Sequence, residues 1–271
     1  MAYKRILTIQ DLSCVGQCSL TVALPVLSAC GHETCVLPTA LLSTHTGGFG
    51  APVIVPLSDS LPEIAGHWRQ NGITFDAVLT GYLGNIPSVR MAEQIMDTFL
   101  KPGGLRIVDP AMADHGRLYS GLNETYVAAM RELCAGADII LPNLTEAALL
   151  SGQPCRETSD IAYADSLLDA LPNTRVLLTG VGEGETGFLL RDGGERKRYA
   201  HPRLPGSFSG TGDIFAAAFT GAWMAGKGLY DSARIAEDFT WKCIAGTVAA
   251  PAHWYGVKFE PALPELIRML G

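Results

Sequence analysis

The sequence predicts an α/β fold in which helices cover both faces of a mostly parallel sheet, a three-layer α/β/α sandwich. Short and almost continuously apolar runs alternate with helix-length segments along most of the chain, which is typical of parallel strands joined by crossover helices. Hydrophobic residues make up 48% of the 271 residues and charged residues only 17%, so the chain can bury a large core. We expect one domain over residues 1–271.

The predicted elements follow each other in a regular order up to residue 180. Apolar runs rich in branched residues predict strands at 6–9, 34–37, 77–80, 106–108, 139–141 and 175–179. Helical periodicity predicts helices at 19–29, 61–70, 88–99, 124–134 and 160–171, and Asn71-Gly72 is a stop signal for the second of them.

The pattern changes in the last third of the chain. Asp192-Gly193-Gly194 lies between the segments 187–191 and 196–201 and predicts a hairpin turn. Three helices are expected after it, at 213–224, 232–249 and 262–270. Residues 42–56 are rich in glycine, threonine and histidine, and we predict a loop or flap near the edge of the sheet for them.

Composition excludes several classes of partner. The net charge is −7 and no block of lysine and arginine longer than three residues occurs, which argues against nucleic acid as a partner. No segment approaches the roughly 20 apolar residues of a membrane span. The seven cysteines form no C-x-x-C pair, so we expect free thiols in place of a zinc site. Met1 to Arg5 lead directly into the first strand, without the apolar region of a secretion signal, and we expect a cytoplasmic protein.

Polar residues follow nearly every predicted strand. Because ligands of an open parallel sheet bind at the carboxyl ends of its strands, these residues are candidates for one shared site, although each taken alone is also a plausible helix cap. They are Asp11 after the first strand, Thr80-Gly81-Tyr82 after the third, Asp109 and Asp114 after the fourth, Asn143 and Glu146 after the fifth, and Thr179 after the sixth.

The most specific motif is Ser209-Gly210-Thr211-Gly212-Asp213, which directly precedes an apolar helix. Two glycines allow several backbone N–H groups to converge, and the start of a helix carries a partial positive charge, so the segment predicts an anion-binding site. A carboxylate at that position suits a general base that faces an acceptor hydroxyl. The alternative is that Asp213 only caps the helix.

Two further carboxylate motifs suggest a divalent cation. Asp109 and Asp114 lie five residues apart after a strand, and Asn143-Leu144-Thr145-Glu146 begins a helix. Oxygen ligands beside phosphates are what Mg²⁺ prefers. The Asn143 to Glu146 segment also fits a capping box, so a structural role stays open.

Two nucleotide-binding motifs are excluded as explanations. Residues 182–187 fit G-x-G-x-x-G, but they lead into a strand where a dinucleotide site needs a helix. No G-x-x-x-x-G-K-[ST] segment occurs, which disfavours a P-loop NTPase.

Taken together, these motifs resemble those of the pyridoxal kinase family, within the ribokinase-like superfamily. The resemblance runs nearly end to end. It rests on Ile9-Gln10 with Gly16, Ser43-Thr44-His45-Thr46, Leu79-Thr80-Gly81-Tyr82-Leu83-Gly84, Asp109-Pro110, Pro142-Asn143-Leu144-Thr145-Glu146 and Gly210-Thr211-Gly212-Asp213.

The resemblance implies an ATP-dependent kinase that phosphorylates the 5′-hydroxymethyl group of a B6 vitamer. It implies Mg²⁺ as cofactor, ATP as co-substrate and a homodimer, with K⁺ as a further candidate ion. It implies that Asp213 is the base and that Gly210, Thr211 and Gly212 form the anion hole. Asp109 and Glu146 are implied to hold Mg²⁺ through water, and the residues implied to contact ATP are Asp114, Asn143, Glu146 and Thr179. Thr46 and Tyr82 are implied to contact the pyridine ring.

Asp11 departs from the family pattern, in which serine commonly follows the glutamine of the first strand and contacts the ring. An acid there either contacts the substrate, favouring a protonated amine or ring nitrogen, or only caps the following turn. Two other functions stay open. Hydroxymethylpyrimidine kinases share the superfamily motif but usually lack the His-Thr and Thr-Gly-Tyr segments, and a non-catalytic B6-binding protein would not need Asp213.

Overall fold

The computed structural model describes residues 3–250 and 252–271. Its strands are β1 Arg5–Ser13, β2 Glu33–Leu42, β3 Ile54–Pro56, β4 Phe75–Thr80, β5 Leu100–Val108, β6 Ala113–Asp114, β7 Arg117–Leu118, β8 Ile139–Ile140, β9 Arg175–Val181, β10 Glu185–Asp192 and β11 Glu195–Pro202. Its α-helices are α1 Leu20–Ala29, α2 Leu61–Gln70, α3 Ile86–Phe99, α4 Glu124–Ala135, α5 Leu144–Ser151, α6 Ile161–Ala170, α7 Thr211–Met224, α8 Leu229–Val248 and α9 Leu263–Leu270.

Nine of these strands form one sheet, in the order β11-β10-β9-β8-β5-β4-β1-β2-β3. The six central strands, from β9 to β2, pair in parallel, whereas β3 at one edge and β10 and β11 at the other pair antiparallel. This arrangement confirms the predicted fold class and all six predicted parallel strands. The hairpin around Gly193 is confirmed as well, by β10 and β11.

Helices cover the sheet on both faces because its central strands are apolar on both sides. Ile6 belongs to the core cluster under α1, α7, α8 and α9, and its neighbour Leu7 belongs to the cluster under α2 to α6. Both residues are fully buried. None of the described helices has the length and apolar character that a bilayer span requires.

Helix α7 packs closely against α1 at a single small residue. A Cβ atom at Gly221 would lie 2.4 Å from Cys30 Sγ, so no side chain fits there. The close approach of the two helices therefore depends on glycine, and it fixes the position of α7.

The structure corrects the sequence prediction at three places. Residues 54–56 are not part of a loop, because they form β3, with Ile54 opposite Leu42 of β2. Strands β6 and β7 form a small hairpin after β5 that was not predicted. Asp11 and Thr179 lie within β1 and β9 and do not follow them, because both strands are longer than their apolar runs.

Candidate active site

The turn before α7 lies at the carboxyl ends of the central strands. Gly210 occupies the N-cap position with a φ of +84°, a conformation that favours glycine. A Cβ atom there would also lie 2.0 Å from the carbonyl oxygen of Gln17. Thr211 and Gly212 begin the helix, so their N–H groups point out of its N-terminus, where anions bind.

Asp213 stands in the first turn of α7 and is half-buried. Burial raises the pKa of its carboxyl group to about 7, a backbone N–H of Ser19 opposes this change, and the nearby Asp11 carboxylate adds to it. A carboxyl group with a pKa near neutral pH is suited to general-base catalysis. These properties fit the predicted role as a base, which stays a prediction.

Asp11 is only 3% exposed, and it is near enough to Asp213 for its charge to raise the pKa of that carboxyl group. Its N–H donates to the carbonyl oxygen of Tyr82 (3.1 Å), and its Oδ2 accepts from the Ser13 hydroxyl (3.2 Å). Burial raises the pKa of Asp11, and burial together with the Asp11 charge raises the pKa of Tyr82. Asp11, Tyr82 and Asp213 therefore share one electrostatic environment.

Glu146 forms the capping box that the sequence offered as one of two roles, and it also accepts hydrogen bonds from a second segment. Its Oε2 accepts from the N–H of Asn143 (2.9 Å), and Asn143 Oδ1 accepts from the N–H of Glu146 (2.9 Å). Its Oε1 accepts from the N–H groups of Met112 (3.1 Å) and Ala113 (3.4 Å). The carboxylate thus joins the start of α5 to the segment after β5.

Asp109 follows β5 and is 9% exposed. Burial raises its pKa, and the negative charges of Glu146 and Asp213 raise it further. Asp109 therefore connects the carboxylates at the starts of α5 and α7, because it interacts with both. Because two neighbouring carboxylates raise the pKa of a third, a cation bound there would be stabilising.

These acids fit Mg²⁺ bound together with a phosphate ligand better than a protein-only metal cage. Within residues 3–250 and 252–271, no three His, Cys, Asp or Glu side chains are arranged to hold a metal ion by themselves. Mg²⁺ typically keeps several waters and uses one or two carboxylates plus substrate phosphates. Asp109 and Glu146 could serve in that way.

The remaining predicted ATP residues border the same region. Thr179 is half-buried and forms a bridge with Asn143, and its N–H donates to the carbonyl oxygen of Pro142 (3.0 Å). Asp114 is exposed on β6, and its charge contributes to the raised pKa of Glu146.

Thr46 is exposed on the flap, which we define as residues 43–50. The next residue, Gly47, lies against Ser209, since a Cβ atom at Gly47 would be 3.0 Å from Ser209 Oγ. Thr46 is therefore close to the turn that precedes α7. The structure brings the predicted site residues to the carboxyl ends of the central strands, and their individual roles remain predictions.

Sequence reasoning missed Tyr119, which follows the β6–β7 hairpin. Its ring centroid lies 6.2 Å from that of Tyr82. Burial raises its pKa, and Glu146, Asp114, Asp109 and Asp213 all raise it further. Its hydroxyl group is therefore near every acid of the phosphate region. The sequence signal was weak, because the hairpin that positions Tyr119 has strands of only two residues.

The family model described as phosphomethylpyrimidine kinase matches residues 26–257. Among solved structures, pyridoxal kinase from Lactobacillus plantarum is 36% identical, with a TM-score of 0.90, over 99% of this chain and 98% of that chain. A Bacteroides thetaiotaomicron protein, provisionally described as a phosphomethylpyrimidine kinase and crystallised with pyridoxal, is 33% identical, with a TM-score of 0.90, over 98% and 96%.

Pyridoxal kinase from Leishmania donovani, in complex with ADP and pyridoxamine, is 27% identical, with a TM-score of 0.82, over 97% of this chain and 95% of that chain. The similarity thus covers whole chains and includes the strands and turns that carry the candidate site. The chain belongs to the pyridoxal kinase family, within the proteins that the phosphomethylpyrimidine kinase model describes.

Proposed function

We propose that this chain transfers the γ-phosphoryl group of ATP to the 5′-hydroxymethyl group of pyridoxal, pyridoxamine or pyridoxine. The observation that carries the proposal is the position of Asp213, a carboxyl group with a pKa of about 7 at the mouth of an anion-binding helix start. Similar structures that contain pyridoxal, or ADP with pyridoxamine, support the choice of substrates.

In this reaction Asp213 accepts the proton of the 5′-hydroxyl group while the oxygen of that hydroxyl group attacks the γ-phosphorus. The new P–O bond forms while the bond to the leaving ADP breaks. The N–H groups of Gly210, Thr211 and Gly212 stabilise the charge on the transferring phosphoryl group. Proton removal and charge stabilisation thus come from the same helix turn.

The ATP side of the site is rich in acids and needs cations. Asp109 and Glu146 would hold Mg²⁺ through water, and Mg²⁺ would neutralise charge on the phosphates. Asn143, Asp114 and Thr179 would lie along the polyphosphate. K⁺ is a further candidate ion, which activity with K⁺ in place of Na⁺ would test.

The part of the site that would bind the vitamer, here called the vitamer side, consists of Thr46, Tyr82 and Asp11. The Tyr82 ring would pack on the pyridine ring, and Thr46 would contact its polar edge. Asp11 is buried, and its charge acts on Asp213. It would favour a substrate with a positively charged or donating group, because charge-assisted hydrogen bonds are about twice as strong as neutral ones.

The alternatives are less well supported. A hydroxymethylpyrimidine kinase is not favoured, because similar structures are pyridoxal kinases and the relative provisionally described otherwise was crystallised with pyridoxal. A non-catalytic B6-binding protein would not need the general base at residue 213. One domain over residues 1–271, a homodimer and a cytoplasmic location are further parts of the proposal.

Initial rates with ATP and four acceptors test the function directly. Pyridoxal, pyridoxine, pyridoxamine and hydroxymethylpyrimidine should be compared at equal concentration, with and without Mg²⁺. We expect Mg²⁺-dependent phosphorylation of the three B6 vitamers at higher kcat/KM than hydroxymethylpyrimidine. A higher kcat/KM for hydroxymethylpyrimidine, or no turnover of any vitamer, would contradict the proposal.

A further inference from the structure

The flap is tied to a segment near the end of the chain, residues 252–256, which we name the C-terminal loop. His45 Nδ1 accepts from the N–H of Gly47 (2.9 Å), so the ring proton of the neutral imidazole lies on Nε2. Nε2 then donates to the carbonyl oxygen of Tyr255 (2.8 Å). Both ring nitrogens are thus used to join the flap to the C-terminal loop, and His45 is only 5% exposed.

Aromatic packing reinforces this hydrogen bond. The ring centroid of Phe49 lies 4.7 Å from that of Trp254, 5.9 Å from that of Tyr255 and 5.1 Å from that of His45. Trp254 also covers Gly48, where a Cβ atom would be 2.6 Å from Trp254 Cζ3. Trp254 is nevertheless 53% exposed, so it packs on the flap from the protein surface.

The C-terminal loop also contacts the segment behind the anion-binding turn. His253 Nε2 is hydrogen-bonded to Gln17 Oε1, and Gly256 lies against the same glutamine. The carbonyl oxygen of Gln17 in turn lies against Gly210. One short loop therefore contacts both the flap that carries Thr46 and the backbone that supports the anion-binding turn.

We infer that the C-terminal loop closes the vitamer side of the active site, with Trp254 and Tyr255 as positioning residues that act through the flap. Their contacts hold Phe49 and His45, and hence Thr46, in place before the substrate arrives. A preformed flap avoids the cost of ordering it on binding. The inference rests on the proposed function, since the substrate that the flap meets is the B6 vitamer.

Trp254→Ala tests the inference, with Trp254→Phe as the conservative variant. We expect the KM of pyridoxal to rise about tenfold in Trp254→Ala, which corresponds to about 1.4 kcal/mol, while the KM of ATP changes less than about twofold. Trp254→Phe keeps a ring against Phe49 and should recover most of the loss. Ile267→Ala is the matched control, because Ile267 is 51% exposed on α9, away from the flap, and should change neither KM.

Amide hydrogen exchange without substrates gives a second measurement. Ser43 donates to the carbonyl oxygen of Val53, and Gly47 donates to His45, so both amides report on flap order. They should exchange faster in Trp254→Ala than in the wild type and in Ile267→Ala. Unchanged exchange in the flap would overturn the inference, as would an equal rise in both KM values. Because exchange needs no turnover, it tests the inference even if the proposed function fails.

Discussion

Replacing the candidate base should make the protein less active and more stable at the same time. Asp213→Asn removes the general base but keeps an oxygen that can accept from the N–H of Ser19. Loss of a general base typically lowers kcat by about a hundred- to ten-thousandfold. Stability should change in the opposite direction, because the fold disfavours the ionised carboxylate at this position.

The size of the stabilisation follows from the pKa. Its rise from 3.8 to about 7 corresponds to an upper limit of about 4 kcal/mol at 1.36 kcal/mol per unit. The asparagine loses about 0.3–1 kcal/mol of interaction with the start of α7, and partial solvent access reduces the gain further. We expect a net gain of about 1–3 kcal/mol at pH 8, or a rise in Tm of about 2–12 °C at roughly 2–4 °C per kcal/mol.

The gain in stability of Asp213→Asn over the wild type should depend on pH. Because the folded pKa lies above the unfolded value, wild-type stability falls as the pH rises from about 4 to about 7. The advantage of Asp213→Asn should therefore grow over this range and level off above it. Thermal unfolding between pH 4.5 and 8.5 measures this difference, and turnover of pyridoxal at saturating ATP and Mg²⁺ measures the loss of activity.

Asp231→Asn is a matched control for this experiment. Asp231 occupies the same position in the first turn of α8 that Asp213 occupies in α7, but its side chain is 61% exposed. The loss of the helix-start interaction is common to both variants, whereas desolvation applies to Asp213 alone. A Tm of Asp213→Asn below that of the wild type at pH 8 would refute the desolvation argument, as would an equal rise in Tm in Asp231→Asn. Near-normal turnover by Asp213→Asn would refute the assignment of the base.

Three further results are expected. Glu146→Gln should lower Tm by about 2–4 °C, because one of three backbone N–H donors loses its acceptor at a cost of about 1 kcal/mol. The same change should raise the Mg²⁺ concentration that gives half-maximal activity. An unchanged Mg²⁺ requirement would remove Glu146 from the metal site. Asp11→Ser should change the ratio of kcat/KM between pyridoxamine and pyridoxal several-fold, and an equal ratio would leave Asp11 with a structural role. Asp11→Asn should shift the acidic limb of the pH profile of kcat/KM to a lower pH than the wild-type limb near pH 7, because the Asp11 charge helps to raise the pKa of Asp213. An unshifted limb would show that the two acids are uncoupled.

The parts of the fold that hydrophobic periodicity controls could be predicted from the sequence. Helix α2 begins and ends at the predicted residues because Leu61 starts an apolar stripe and Asn71-Gly72 stops it. Strand β3 could not be predicted, since all three of its residues are exposed and only pairing with β2 makes it a strand. The hairpin of β6 and β7 was missed for a similar reason, because its strands are too short to show a pattern.

The candidate site was predictable as a set of residues but not as a set of contacts. The rule that ligands bind at the ends of parallel strands placed Asp109 and Asn143 together, and the Gly-Thr-Gly-Asp motif added Asp213. It could not show that Glu146 accepts hydrogen bonds from two segments, or that Asp11 lies within β1. Both depend on tertiary packing, as does the contact of residue 45 with the C-terminal loop.

The close contact at Gly221 links catalysis to a point distant from the chemistry. Gly221 is ten residues after Thr211 on the same helix, which places it about 15 Å from the start of the helix at 1.5 Å per residue. A larger side chain there would push against Cys30 and tilt the whole helix, moving its far end out of alignment with the phosphoryl group. In a genetic screen for inactive enzyme, substitutions at this buried glycine would thus be recovered beside those in the active site, although they touch neither substrate.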